Sequence, residues 1–326
     1  MAKKRRSPRP KTINKTEFTN QWAAIAGRWQ FEGSSAIYKG PDGPSPIHKL
    51  GLAIAAPTFR DGVIKTSVRI SRNKNTTAGI AVGYQSVEAP YVIAQLGAFD
   101  RAYAISEYRP NVGWVSLANA GLLENIDVGK QHLLEVGLAG QSLSFSVDGV
   151  SVLNVVLRRP LEGAGVGLFA FDDAEVAFSN ITIQSARPRV FVMMPFAEPF
   201  DTLYRDVIKP VAEEQLGFEI VRVDEIFSPG IILEDIQQKI ATSHAVVAEI
   251  STGNPNVFYE LGYAHALKKP AVLLMRRVDS EKMPFDVRGY RAIFYDDSIG
   301  GKSVVERSLR AQLDAVRKGV EDIMAS

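Results

Sequence analysis

Glu260 is the residue whose setting in this sequence most favours chemistry. It lies in the segment 254–267, which reads Asn-Pro-Asn-Val-Phe-Tyr-Glu-Leu-Gly-Tyr-Ala-His-Ala-Leu. Asn254 is a good N-cap, and a proline suits the first helical position because its missing N–H would be unpaired there. The segment therefore predicts a helix in which Asn256 and Glu260, four residues apart, project from one face.

An apolar run directly before this helix predicts the strand that positions it. Residues 245–250 read Ala-Val-Val-Ala-Glu-Ile, so the helix starts at the carboxyl end of a buried strand. In an open α/β sheet, that edge is where ligands bind. A single glutamate in a helix is commonly a solvated charge, and it is this position that favours a catalytic role for Glu260.

The C-terminal part of the chain alternates apolar runs with amphipathic segments. Strands are predicted at 189–196, 218–223, 245–250, 270–275 and 290–295. Helices are predicted to begin near residues 200, 228, 255 and 305, where apolar side chains recur every three or four positions. This alternation predicts a doubly wound α/β domain of flavodoxin-like type with a five-stranded parallel sheet.

The N-terminal part follows a different pattern, of short strands separated by turns. Ile64, Val68 and Ile70 alternate with polar residues, as in a half-buried strand. Asp148-Gly149 between two alternating runs predicts a type I′ hairpin turn. Residues 21–185 are therefore expected to form an all-β jelly-roll sandwich, and the change of pattern at Ser-Ala-Arg-Pro places the α/β domain at 188–326.

Composition excludes several classes of function. The 326 residues include no cysteine, which rules out disulfides, thiolate catalysis and cysteine-based zinc sites. The four histidines show no metal-ligand spacing, and no apolar run approaches the roughly 20 residues of a membrane span. We therefore expect a cytoplasmic protein without metal, cofactor or membrane contact.

Residues 1–20 are predicted to be a basic, disordered tail. Positions 1–11 hold six lysines and arginines and no acid, although the net charge of the whole chain is only +2. Such a tail can contact nucleic acid or an anionic surface, and a purely solubilising tail is the simpler interpretation. We expect nucleic-acid contact through this tail alone, because no recognised nucleic-acid module accompanies it.

The N-terminal domain resembles the concanavalin-like (laminin G-like) sandwiches. The resemblance lies in Gly-Arg-Trp at 27–29, Ala-Gly-Ile-Ala-Val-Gly-Tyr at 78–84, the Val-Asp-Gly hairpin at 147–149, Gly-Val-Gly-Leu at 165–168 and the closing strand at 176–183. It implies a sensing or interaction module with a carbohydrate or a protein as its ligand.

The C-terminal domain resembles the nucleoside 2-deoxyribosyltransferases and the bacterial TIR-like domains. Besides the segment 254–267, the resemblance rests on Phe-Val-Met-Met-Pro-Phe at 191–196 and Pro-Phe-Asp-Val-Arg at 284–288. In that family the glutamate of the Glu-Leu-Gly helix is catalytic. The resemblance therefore implies that Glu260 is catalytic and that an N-glycosidic bond is cleaved.

Around Glu260, the substrate is expected to contact residues at strand ends and helix starts. Phe196 and Tyr204 are expected to stack on a base, and phosphates to lie on helix N-termini near Phe196 or Ser228. The full set of predicted substrate-binding residues is Met194, Pro195, Phe196, Tyr204, Asp224, Ser228, Ser251, Asn254, Asn256 and Arg288.

These resemblances imply an effector that hydrolyses NAD or a related nucleotide through Glu260. The sandwich would regulate it, bacterial antiphage defence would be its setting, and a homo-oligomer its assembly. Two alternatives remain open. One is a nucleoside 2-deoxyribosyltransferase or nucleoside hydrolase of salvage, and the other is a non-enzymatic nucleotide-binding or scaffolding TIR-like module.

Overall fold

A computed structural model of the protein describes residues 22–42, 49–56, 59–71, 76–161, 163–171, 175–223 and 232–321. The chain divides into two compact units, and the main division along the sequence falls between Ala186 and Arg187. The predicted basic tail lies outside the described residues. No helix in the described parts of the chain is long and apolar enough to cross a membrane.

The first unit is a β-sandwich. Its described strands are β1 Trp22–Ala26, β2 Trp29–Glu32, β3 Ser35–Tyr38, β4 Leu50–Ala55, β5 Gly62–Ile70, β6 Thr77–Tyr84, β7 Tyr91–Ala98, β8 Arg101–Arg109, β9 Gly113–Leu122, β10 Gln131–Ala139, β11 Ser142–Val147, β12 Val150–Val156, β13 Gly165–Phe171 and β14 Val176–Ser185. One antiparallel sheet has the order β1-β4-β13-β6-β7-β8-β9, and the other has the order β12-β11-β10-β5-β14-β3-β2. The predicted sandwich is confirmed.

Alternating side chains build the core of this sandwich. In β5, Ile64, Val68 and Ile70 are at most 2% exposed, whereas Lys65, Ser67 and Arg69 are half-buried or exposed. Thr66 shares the buried face, where its hydroxyl donates to the Ser179 carbonyl at 3.1 Å. Each fully buried aliphatic side chain contributes about 1.5–3 kcal/mol of transfer free energy, which fixes the inward face and with it the register.

The hairpin between β11 and β12 has the predicted geometry. Asp148 has φ 51° and Gly149 has φ 83°, so both central residues adopt the left-handed conformation that a type I′ turn demands. Glycine adopts this conformation without steric cost, and aspartate tolerates it better than most residues. The sequence prediction for this turn is confirmed.

The second unit is a five-stranded parallel sheet with helices on both faces. Its strands are β15 Arg189–Met193, β16 Glu219–Arg222, β17 Ala245–Glu249, β18 Ala271–Arg276 and β19 Ala292–Tyr295, in the spatial order β16-β15-β17-β18-β19. Its helices are α1 Phe200–Leu203, α2 Ile232–Thr242, α3 Pro255–Ala266 and α4 Ile299–Glu321. One apolar core lies against α1 and α4 and the other against α2 and α3, so the sheet is buried on both faces. The predicted α/β domain is confirmed.

Two helices depart from the prediction: α4 begins at Ile299 rather than near residue 305, and the helix after Phe200 changes its type of turn. The segment after Phe200 is predicted as one amphipathic α-helix, but α1 continues as π-type turns at Tyr204–Ile208 and Pro210–Gln215. Pro210 has no backbone N–H and removes one hydrogen bond from the regular ladder, which accounts for the wider turns around it. The apolar face is kept, since Leu203, Val207 and Val211 are at most 5% exposed.

Candidate functional site

The candidate site lies where the connections of the parallel sheet change direction. From β15 the chain passes to β16 on one side and then returns to β17 on the other. The loops that follow such strands diverge and leave a crevice at their carboxyl ends, where ligands bind in open α/β sheets. The start of α3 and the residues after β15 meet at this crevice.

The start of α3 is held by the predicted cap. The Asn254 side-chain oxygen accepts from the Asn256 backbone N–H at 2.9 Å, and Pro255 is the first helical residue. Both predictions for the helix start are confirmed. After β15, Pro195 interrupts the backbone donors of the strand, so Met194, Pro195 and Phe196 leave the sheet at its carboxyl edge.

A cavity of about 420 Å³ occupies the crevice. It is lined by Val192, Met194, Pro195, Phe196, Val223, Leu233, Ile236, Asn254, Asn256, Val257, Tyr259 and Glu260. Six of the predicted site residues are therefore brought together, and they are Met194, Pro195, Phe196, Asn254, Asn256 and Glu260. Most of the lining is apolar, and Glu260 is the one carboxylate among the described residues that form it.

Glu260 is buried without a partner. It is 8% exposed, and it makes no hydrogen bond or ion pair with any residue that the structure describes. Burial disfavours the charged form and raises the pKa of this carboxyl from 4.5 to about 7. Near neutral pH the side chain can therefore both give and accept a proton.

Aromatic rings form the exposed walls of the cavity. Phe196 is 53% exposed and Tyr259 is 50% exposed, so each offers a ring to a bound molecule. The Arg222 guanidinium carbon lies 5.4 Å from the centre of the Phe196 ring. Its Nη1 donates a hydrogen bond of 2.7 Å to the Asp201 carboxylate, which holds the guanidinium in place. This cation–π contact supports the Phe196 ring from behind.

The remaining predicted site residues lie elsewhere. Tyr204 is 4% exposed and packs against Arg222, with its ring centre 4.3 Å from the guanidinium carbon, and it does not line the cavity. Ser251 is 1% exposed, and the Arg288 Nε donates to the Met283 carbonyl at 3.1 Å, so neither lines the cavity. Asp224 and Ser228 lie outside the described residues.

Two charged residues near the site are missing from the predicted set. Arg222 is 8% exposed and Glu249 is 1% exposed. Each interrupts an apolar strand, and that interruption is the sequence signal that could have singled them out. Burial raises the pKa of the Glu249 carboxyl to about 7, although hydrogen bonds from Ser251 oppose the shift.

The parts of the chain that the structure describes contain no cluster of metal ligands. No group of three or more histidine, aspartate or glutamate side chains there is placed to hold an ion. The His265 ring stacks on the Tyr290 ring at 4.1 Å between ring centres, with the two planes 8° apart.

The sandwich has a smaller cavity of its own, of about 250 Å³. Its lining combines aromatic rings with polar side chains and consists of Thr77, Gln95, Gly97, Ala98, Phe99, Asp100, Trp114, Leu123, Phe169 and Phe171. Phe99 and Asp100 form the turn between β7 and β8 with positive φ angles of 53° and 57°, and the Phe99 ring is 49% exposed. Trp114 meets Phe169 edge to face at 5.4 Å between ring centres.

No model of a known protein family matches the chain, and no curated protein matches it. Solved structures similar to it include carbohydrate-binding module CBM66 from Bacillus subtilis, with 18% identity, a TM-score of 0.43 and coverage of 52% of this chain and 97% of that one. Bacillus licheniformis β-glucanase has 12% identity and a TM-score of 0.39, over 56% of this chain and all of the glucanase. The laminarinase catalytic domain from Thermotoga maritima has 9% identity and a TM-score of 0.39, over 51% and 92%.

The two antiparallel sheets confirm the sandwich expected for the first unit, and the similar structures include carbohydrate-binding modules and glycoside hydrolases. The comparisons contradict the predicted NAD-cleaving effector, because the similar structures are glycoside hydrolases and carbohydrate-binding modules. That prediction is therefore wrong. The comparisons also give no support to a TIR-like domain, to antiviral defence, to a nucleotide substrate or to a homo-oligomer.

Proposed function

We propose that the second unit acts on a glycosidic bond and that Glu260 transfers the proton. The observation that carries this proposal is the state of the Glu260 carboxyl, which is 8% exposed, has no described partner and has its pKa raised to about 7. A general acid is most effective when its pKa lies near the working pH. Burial against apolar side chains is an established way to give a carboxyl that property.

Cleavage of a glycosidic bond requires a proton donor and a group that stabilises positive charge on the sugar. As a glycosidic bond breaks, positive charge develops on the anomeric carbon and negative charge on the leaving atom. Protonated Glu260 donates its proton to the leaving atom, and the carboxylate that remains stabilises the cationic sugar. Water then adds to the anomeric carbon and returns a proton to Glu260, so atoms and charge balance.

The apolar lining increases the effect of that one carboxylate. Attraction between the carboxylate and the sugar cation is weakly screened where water is excluded. Glycoside hydrolases commonly use two carboxyl groups, whereas the described lining supplies only Glu260. The proposal therefore assigns both proton donation and charge stabilisation to the same side chain.

Glycosides that differ only in their leaving group test this role. A panel of sugars is offered to the full-length protein, each as a p-nitrophenyl glycoside and as an alkyl glycoside, and product release is followed. We expect Glu260→Gln to lose about 10²- to 10⁴-fold of the rate on the alkyl glycoside. The loss on the p-nitrophenyl glycoside should be smaller, because that group leaves without a proton.

Glu281→Gln is the control, since Glu281 is exposed and lies outside the cavity lining. It should keep the wild-type rate on both substrates. Failure of the wild type to cleave any member of the panel would contradict the proposal. So would a Glu260→Gln protein that matches the wild type on alkyl glycosides.

We propose further that the sandwich binds a carbohydrate in its 250 Å³ cavity. The supporting observation is the combination of Trp114 and the exposed Phe99 ring with the polar side chains of Gln95 and Asp100. The apolar face of a sugar ring packs well on an aromatic ring, and its hydroxyls bind amide and carboxylate groups.

Tryptophan fluorescence of the full-length protein, titrated with a panel of oligosaccharides, tests this second proposal. We expect Phe99→Ala to weaken binding at least tenfold, because the ring is exposed at the cavity and its loss leaves the core intact. Trp114→Ala should abolish carbohydrate binding. Binding to this variant is measured by calorimetry, because the substitution removes a tryptophan that contributes to the fluorescence. Val112→Ala, at a 71% exposed position outside the lining, is the control and should bind as the wild type does. Equal carbohydrate affinities of Phe99→Ala and the wild type would exclude this cavity as the binding site.

A further inference from the structure

Glu249 is a buried acid that the proposed chemistry does not use. It is the last residue of β17 and is 1% exposed. Ala248 and Ile250 belong to the core that contains α3, so Glu249 projects to the other face of the sheet. An acid in that position is costly to bury, and its hydrogen bonds indicate what it does there.

Ser251 supplies most of those hydrogen bonds. Its backbone N–H donates to Glu249 Oε1 at 3.1 Å, and its hydroxyl donates to the same oxygen and lies 3.2 Å from Oε2. The same hydroxyl accepts from the backbone N–H of Arg276 at 2.7 Å. Since Arg276 is the last residue of β18, one serine side chain joins the ends of two neighbouring strands.

A third strand end takes part in the network. Tyr295, the last residue of β19, is 5% exposed, and its hydroxyl is close enough to the Glu249 carboxyl to lower the pKa of that carboxyl. The Arg276 guanidinium is the charged group that faces the carboxyl, and it is itself paired with Asp279 at 2.7 Å. The Glu249 carboxyl therefore lies in a polar network that joins the ends of β17 and β18 at the carboxyl edge of the sheet.

This network holds the segment from which α3 starts. Ser251 lies in a turn that the Gly253 N–H closes onto the Ile250 carbonyl at 3.2 Å, and Asn254 follows at once as the helix cap. So few residues separate Ser251 from the cap that an anchored Ser251 fixes where the helix begins. Glu260 lies in the second turn of that helix, and its position relative to β15 depends on this start.

We propose that Glu249 and Ser251 are positioning residues of the Glu260 site. The inference rests on the proposed function only in taking Glu260 as the reacting group. An apolar side chain in place of Glu249 would leave the Ser251 donors unpaired, and alanine in place of Ser251 would leave the Arg276 N–H unpaired. Buried donors left without acceptors cost more than the hydrogen bonds themselves contribute.

The hydrogen-bond geometry also identifies the variant that should preserve the network. Both Ser251 donors reach Oε1, which an amide retains as its carbonyl oxygen. Glu249→Gln is therefore expected to hold the turn. Ser251→Ala and Glu249→Leu are expected to release it.

Hydrogen exchange of the backbone amides in the full-length protein tests the proposal. In Ser251→Ala and Glu249→Leu, exchange in residues 251–256 should accelerate at least tenfold, while the amides of α4 keep their wild-type rates. Glu249→Gln should retain the wild-type protection. Unchanged exchange in Ser251→Ala, uniform acceleration across the sheet, or loss of protection in Glu249→Gln would each overturn it.

Kinetics separate this inference from the proposed reaction. On any glycoside that the wild type cleaves, Ser251→Ala should lower kcat by a larger factor than it raises KM, since the reacting group must be placed more exactly than the rest of the lining. A wild type that cleaves nothing ends the proposed function, and the exchange experiment still decides the positioning role. A rise in KM with unchanged kcat would contradict the positioning role of Ser251.

Discussion

At the scale of single residues, Glu260 lowers the stability of the fold that holds it. Burial raises its pKa from 4.5 to about 7, so the folded chain retains a proton that the unfolded chain releases between these values. The contribution of Glu260 to the unfolding free energy therefore falls as pH rises from about 4.5 to 7, and it is constant above that window. A shift of this size corresponds to about 3 kcal/mol, by the relation of 1.36 kcal/mol per pKa unit.

Replacing this side chain by its neutral isostere should remove that pH dependence. We expect Glu260→Gln to gain about 3 kcal/mol of unfolding free energy relative to the wild type between pH 4.5 and pH 8, measured by urea unfolding at several pH values. The other buried acids cancel in the difference because both proteins contain them. Glu281→Gln, whose carboxyl is exposed, should show no such gain, and a constant Glu260→Gln difference across pH would refute the assigned burial cost.

At the scale of elements, α3 matters most because it carries Glu260 to the sheet edge. Its start depends on one side-chain oxygen, which Asn254 presents to the backbone N–H of Asn256. Unpaired N–H groups in the first turn are costly, and a good cap satisfies one of them. The helix also packs Val257, Leu261 and Ala264 into the core, which supports it independently of the cap.

Asn254→Ala should therefore lower the unfolding free energy by about 1 kcal/mol without disrupting the fold. The chain provides a matched control in Asn256→Ala, because Asn256 is exposed and contributes to the cap only through its backbone. Its effect should stay within about 0.5 kcal/mol. Equal losses in the two variants, measured by denaturant unfolding, would show that the cap does not limit α3.

At the scale of the whole molecule, local patterns predict much of both units. The alternation in β5, the turn at Asp148-Gly149 and the cap at Asn254 each depend on neighbours in sequence, and each is confirmed. The crevice residues also followed, because strand ends in a parallel sheet share one edge. The turns around Pro210 did not follow, since an apolar period does not distinguish an α-helix from a wider one.

What sequence reasoning missed depends on contacts between distant segments. Arg222 is held beside the Phe196 ring by its hydrogen bond to Asp201, which lies 21 residues earlier in the chain. Ser251 was expected to contact substrate, but its hydroxyl is used by Glu249 and Arg276. A residue type at a strand end thus indicates where a site lies, whereas its partners across the sheet decide what the residue does there.

The raised pKa of Glu260 has one more consequence, which concerns the variety of ligands that the cavity accepts. Because the pKa is raised to about 7, both forms are populated near neutral pH, one with a carboxylic acid in the crevice and one with a carboxylate. A ligand that presents an acceptor selects the first form, and a ligand that presents donors or positive charge selects the second. Each selection weakens apparent affinity only modestly, since neither form is rare near neutral pH. One unpaired carboxyl therefore makes a single crevice chemically two-sided.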